Sequence, residues 1–225
     1  MAKEYPITDK SKLRMMAAIL LKQSYRNYLL FAMGCNLGLR ISDYINMSVK
    51  DCSELCRTKK VDLQQVKTKK PIYFEVPDEV HEIMSDYISG KEPGEWLFPS
   101  RKGSEPITEH QAWNIVWQAA NEADITQNIG CHSLRKTFGY FHYKKNNNIR
   151  ILMEIFQHVS EAITLRYIGV IQDEMDDSMR GISIGGIKPE IIQKAKIAEE
   201  LSRRTRAEKL RILSEKTNQN EGLAE

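Results

Sequence analysis

Charge of one sign is what this sequence has little of. Thirty-three Lys and Arg residues meet thirty Asp and Glu, a formal net charge of only +3 over 225 residues. On that total alone a nucleic-acid-binding protein is not expected, since the basic excess is small. Long apolar runs are missing too. No stretch approaches the roughly 18 residues that suggest a membrane span, so no membrane partner is expected. Met1-Ala2-Lys3-Glu4-Tyr5-Pro6 has no apolar core of a secretory signal. Cysteine is sparse: of Cys35, Cys52, Cys56 and Cys131, only Cys52 and Cys56 lie close together, four apart, without a second pair. His81, His110, His132, His142 and His158 are dispersed. Zinc sites want two closely spaced ligand pairs, so no metal is expected. Four scattered cysteines fit reduced thiols in a cytoplasmic protein. There is no GxxxxGK[ST] phosphate loop and no internal repeat, and no cofactor is expected.

What is present is an ordinary globular composition, 41% hydrophobic and 28% charged, enough to bury one core. Leu13, Met16, Ala17, Leu20 and Leu21 recur at helical spacing over 9–23, with Thr8 or Asp9 as cap. Ser24 caps a second helix through Tyr28, Leu29, Phe31, Ala32 and Cys35, which Gly38 stops. A short third helix is expected from Ile41 to Met47. Lys60–Val66 and Pro71–Val76 read as a β-hairpin joined by Lys67-Thr68-Lys69-Lys70, and Pro77 ends it. Helices are expected at 78–89, after Thr108 with Trp113, Val116, Trp117 and Ala120 on one face, and at 132–145, 149–157 and 160–168. A loop with Gly181, Gly185 and Gly186 precedes a last helix over 189–216. The class is mainly α with a small antiparallel β-sheet (α+β): a body over 1–175, then a linker and helical tail over 176–225.

The small net charge hides a polarised distribution. Residues 57–70 carry six basic side chains against Asp62, and residues 132–150 carry Arg135, Lys136, Lys144, Lys145 and Arg150 with no acid. Residues 75–95 carry seven acids against Lys91. Two basic blocks on one body can gather phosphates while the total stays small. Lys69, Lys70, Lys136, Lys144, Lys145 and Arg150 are the candidate phosphate contacts.

Four short motifs follow in order: Gly38-Leu39-Arg40, Val66-Lys67-Thr68-Lys69, His132-Ser133-Leu134-Arg135, and His158 with Tyr167 nine residues later. Singly each is weak. Together they resemble the catalytic domain of tyrosine site-specific recombinases, the family of phage and transposon integrases, over roughly residues 5–175. The family's pattern is an Arg after a Gly-Leu turn, a hairpin Lys, a His-x-x-Arg helix start, a second His or Trp, and a Tyr about nine residues beyond. Arg40, Lys67, His132, Arg135, His158 and Tyr167 match it, and Arg166-Tyr167-Ile168-Gly169 looks like the nucleophile segment. Gln157 stands where the family usually has Gly, and Lys136 where a His often follows the second Arg.

The resemblance implies cleavage and rejoining of DNA through a 3′-phosphotyrosyl link at Tyr167, without metal or nucleotide. Two guanidiniums suit the non-bridging oxygens of a phosphate in transfer, which fits Arg40 and Arg135. A phenol with an ordinary pKa of about 10 needs activation. His132 is the candidate proton acceptor, Lys67 the candidate acid for the leaving 5′ oxygen, and His158 a phosphate ligand. The implied partners are double-stranded DNA carrying a recombination site, further copies in a homotetramer, and accessory DNA-bending or directionality proteins. A bacterial or phage origin and association with the nucleoid follow from the same resemblance. Such proteins usually carry an N-terminal helical domain that closes around DNA. Here few residues precede the first helix, so weak binding to a single site is expected. Ile187, Ile191, Ala195, Ala198, Leu201, Thr205 and Leu210 form a stripe at helical spacing, and residues 187–213 are expected to dock on a neighbouring copy. The alternative reading is a non-catalytic DNA-binding relative that acts as an accessory factor or regulator. A type IB topoisomerase shares the chemistry, but the His-x-x-Arg arrangement favours the recombinase.

Overall fold

Capping chemistry sets the first elements. In the computed structural model, which describes residues 3–101, 105–182 and 189–221, with side chains as far as Arg211, helix α1 spans Lys10–Gln23. The Asp9 carboxylate caps it, accepting from the Ser11 amide at 2.7 Å. Ser24 closes α1 and opens α2 (Tyr25–Leu37), its hydroxyl accepting from the Asn27 amide at 3.2 Å. Helix α2 is buried along most of its length. Gly38 ends it with φ 60, and a Cβ there would come within 2.3 Å of the Phe138 ring, so both conformation and space demand glycine.

Helix α3 is a single turn, Ile41–Tyr44, shorter than the expected 41–47. Helix α4 (Val49–Thr58) was not expected. Ser48 and Asp51 form a capping box, and Val49, Cys52 and Leu55 supply a narrow buried stripe. Strands β1 (Lys60–Gln64) and β2 (Pro71–Glu75) pair antiparallel, with Val61 opposite Phe74 and Leu63 opposite Ile72. Helix α5 (Asp78–Ile88) starts directly after Pro77. Helix α6 (Glu109–Glu122) begins at Thr108 as expected, but its buried face is Ala112, Val116, Ala119 and Ala120. Trp117 is exposed and stacks on Trp113, which in turn stacks on His110. The bulky indoles lie on the flank because small alanines let α6 approach the core closely.

Helix α7 (Cys131–Asn146) packs on α2, and Ser133, Leu134 and Arg135 of the His-x-x-Arg turn are buried. Helices α8 (Ile149–Phe156) and α9 (Glu161–Ile168) pack beside it around a second core of Leu152, Phe156, Ile168 and Val170. Gly139 makes that approach possible: a Cβ there would lie 2.5 Å from Ile168 and 2.7 Å from Phe156. Helix α10 (Val170–Met179), also not expected, follows Gly169 directly. The main core runs from Ile7 through α1, α2, the hairpin and α6 to Leu134.

By internal contacts the chain divides into Met1–Met175 and Asp176–Glu225. The second unit is dominated by helix α11 (Pro189–Glu221), where Ile191, Leu201 and Leu210 of the expected stripe are exposed. Gly185, Gly186 and Ile187 lie outside the described residues. Among the described residues, no helix is long and apolar enough to cross a membrane.

Candidate active site

The six residues singled out by spacing line one cavity of about 290 Å³, together with Glu4 and Lys136. Five local devices bring them together. Arg40 is the N-cap of α3, placed by the Gly38 turn. Lys67 rides the exposed tip of the hairpin. His132 and Arg135 lie on the first turns of α7, one exposed and one buried. His158 follows Gln157, which terminates α8 in the left-handed region at φ 57. Tyr167 projects from α9. The family's usual glycine at position 157 thus has a backbone reason, and the glutamine here carries the strain of that conformation.

Arg135 is 2% exposed. Its Nη1 donates to the Gly38 carbonyl at 2.6 Å and its Nη2 to the Phe156 carbonyl at 3.4 Å, while the guanidinium lies 4.6 Å from the Phe156 ring centroid. Burial lowers its pKa to about 10, which still leaves it charged at neutral pH. Arg40 reaches the same Phe156 carbonyl at 3.5 Å and donates to the Gln65 side chain. One carbonyl therefore orients both guanidiniums. Each has five N–H donors, so most remain for an anion.

Burial raises the Tyr167 pKa, and the charges of Arg135 and Arg40 pull it back down, Arg135 also lying within hydrogen-bonding reach of the hydroxyl. The Tyr167 ring stands edge-on to His158 at 5.0 Å and to Phe156 at 5.3 Å. His158 Nδ1 lies 3.1 Å from the Thr164 hydroxyl, which itself donates to the Ser160 carbonyl at 3.0 Å. With its proton committed there, Thr164 accepts, so the pattern assigns the hydrogen to Nδ1 and leaves Nε2 as the ring's acceptor. Burial, then Arg135 and Arg40, lower the His158 pKa, which keeps the ring neutral near pH 7.

Two residues of the cavity carry more than their sequence suggested. Lys136 is 9% exposed; its Nζ donates to the Glu4 carbonyl and lies 5.1 Å from the Tyr167 ring centroid, so it sits inside the cavity and not among the surface lysines. Burial lowers its pKa. Glu4 holds the start of α7: its carboxylate accepts from the Ser133 amide at 3.1 Å. Nothing in the sequence around position 4 marks this, because its partners lie about 130 residues away.

The hairpin charge is more focused than the sequence count. Arg57 pairs with Glu54, Lys59 with Asp78 and Lys60 with Glu75, whereas among the described residues Lys67, Lys69 and Lys70 enter no ion pair. Lys144, Lys145 and Arg150 are exposed at the end of α7 and the start of α8 and do not line the cavity.

Comparison with known proteins agrees. The model of the phage integrase family matches residues 7–174. A probable integrase/recombinase of Bacillus subtilis, YoeC, is 34% identical over 168 residues, covering 75% of this chain and 91% of that protein. A tyrosine recombinase of Pseudothermotoga lettingae is 28% identical over 70% of this chain but only 54% of its own length. This chain thus spans about half of several curated relatives. The crystal structure of XerA recombinase superposes with TM-score 0.62 at 17% identity, covering 81% of this chain and 68% of that one. A lambda integrase (75–356) dimer bound to a COC′ core site gives 0.60 at 15% identity, covering 84% and 64%. These last two likenesses establish the shared fold. The family match, and a relative matched over nearly its whole length, carry the conclusion: the chain belongs to the phage integrase family of tyrosine recombinases.

Proposed function

We propose that this chain cleaves and rejoins DNA at a specific site through a covalent 3′-phosphotyrosyl intermediate on Tyr167. The observation that carries this reading is the convergence of Arg40, Lys67, His132, Arg135, His158 and Tyr167 on one cavity. The scissile phosphate takes the open donors of Arg40 and Arg135, which remain charged and stabilise the extra negative charge of the transition state. Tyr167 Oη attacks phosphorus as His132 takes its proton. The 5′ oxygen leaves with a proton from Lys67. His158 Nε2 has no hydrogen in the free protein, and the phosphate charge raises its pKa so that it binds as a donor. The phosphotyrosyl bond keeps the energy of the broken phosphodiester, so a 5′ hydroxyl rejoins the strand by reversing these steps.

Residues 1–175 form the catalytic unit, and 176–225 a linker and tail that dock on a neighbouring copy in a tetramer on DNA. Lys69, Lys70, Lys144, Lys145 and Arg150 hold flanking phosphates, and Lys136 acts inside the cavity. Accessory DNA-bending or directionality proteins and a nucleoid location complete the reading. The decisive experiment uses nicked duplexes drawn from a randomised pool, which trap covalent protein because the short cleaved strand diffuses away. Wild type yields an adduct on a recurring sequence, and Tyr167→Phe yields none. An adduct formed equally by Tyr167→Phe would overturn the nucleophile. On the selected duplex, a chain ending at Met179 should cleave but fail to assemble beyond one copy per site.

A further inference from the structure

Gln65 stands out because it is fully buried while its hairpin neighbours Val66 and Lys67 are exposed. Its backbone closes the turn: its amide donates to the Lys70 carbonyl and its carbonyl accepts from the Lys69 amide, both at 2.9 Å. Its side-chain Oε1 accepts from Arg40 Nη1 and, at 3.1 Å, from the Thr68 hydroxyl. The amide orientation is fixed by chemistry, since the reverse would set an NH₂ donor against a guanidinium that has only donors. Its Nε2 is buried without a partner among the described residues. A buried unmade donor is destabilising, so the amide is kept for its oxygen.

A second bridge runs in parallel. Asp43 Oδ2 accepts from the Arg40 amide at 3.2 Å, and Asp43 Oδ1 accepts from the Val66 amide at 2.9 Å. Lys67 therefore sits between two residues, Val66 and Thr68, that are each tied to the Arg40 segment. An exposed lysine on a hairpin tip would otherwise sweep a wide arc. We infer that Gln65 is a positioning residue, which fixes the Lys67 turn relative to Arg40 so that the acid reaches the leaving oxygen of the phosphate that Arg40 holds. Gln65 does not itself line the cavity and acts through Arg40 and the turn. The inference rests on the proposed role of Lys67 as the acid.

That role supplies a readout that a merely structural residue would not move. When sulfur replaces the bridging 5′ oxygen, Tyr167 Oη still forms its bond to phosphorus and the P–S bond breaks. The departing thiolate needs no proton, because a thiol is acidic near pH 8.5. Gln65→Met keeps the volume, removes Oε1 and removes the unpartnered Nε2, so folding should survive. Single-turnover cleavage by the full chain is measured on the selected nicked duplex in both forms. Gln65→Met is expected to lose at least 10-fold on the oxygen duplex and at least fivefold less on the sulfur duplex. Thr68→Val, which removes the other donor to the same oxygen, should show a smaller loss with the same recovery, and it carries the test if Gln65→Met does not fold. A loss under threefold on oxygen, or equal losses on both duplexes, overturns the inference. Lys67→Ala separates the layers. If sulfur does not rescue it, the acid assignment falls and takes this inference with it; if sulfur rescues Lys67→Ala but not Gln65→Met, only the inference falls.

Discussion

Arg135 and Arg203 carry the same guanidinium in opposite settings. Arg135 is almost wholly buried at the start of α7, holds two backbone carbonyls and faces Tyr167. Arg203 and Arg204 on α11 have side chains 79% and 76% exposed, and pair with Glu199 and Glu200 one turn earlier. An exposed pair of that kind contributes little. Burying a guanidinium costs much, and the proposed function gives the reason the Met1–Met175 unit bears that cost: desolvated donors grip a phosphate more strongly. The small net charge makes sense in this light: the position of a few cations matters more than their number.

Arg135→Lys would break the contrast most severely. Lysine keeps the charge but loses the planar fork, and cleavage should fall by about 100-fold or more, on the scale of removing one donor to the transition-state charge. Arg203→Lys with Arg204→Lys should change the rate less than twofold. Single-turnover adduct formation measures both, and equal effects would erase the distinction.

A second prediction concerns pH. The folded-state pKa of His158 is lowered by burial and by Arg135 and Arg40, and that of His142 by burial and Lys145. Below an unfolded-state pKa of about 6.5, the unfolded chain binds protons that the native chain resists, so stability is present above that pH and is lost as pH falls. His158→Gln should flatten part of the fall in urea midpoint between pH 7 and 5. An unchanged slope would mean that this ring is not held neutral.

The smallest effect is at Gln157. Its left-handed backbone costs about 1 kcal/mol for a residue with a Cβ, so Gln157→Gly should raise the melting temperature by a few degrees. Calorimetry checks this, and a lower melting temperature would show that Gln157 side-chain packing outweighs the strain.

How much of this was written locally decides how much could be read. Asp9, Ser24, Gly38 and Thr108 announce element ends because caps act within three residues. Motif order alone picked out the six residues that line one cavity. Helix α4 escaped because its buried stripe is narrow, with Cys52 at its centre between Asp51 and Ser53. The indoles of α6 misled because bulk was read as core, whereas Ala112, Ala119 and Ala120 make the close contact. Glu4, Lys136 and Gln65 act across the fold, through partners that no local pattern shows.

The central claim is that one tyrosine in one cavity joins to DNA. Trypsin cuts after Arg166 and Arg180, releasing residues 167–180, in which Tyr167 is the sole tyrosine. Mass spectrometry of the trapped adduct, after nuclease and trypsin digestion, reads the attachment point directly. The account predicts a nucleotide 3′-phosphate on that peptide. Its attachment to any other peptide would contradict it.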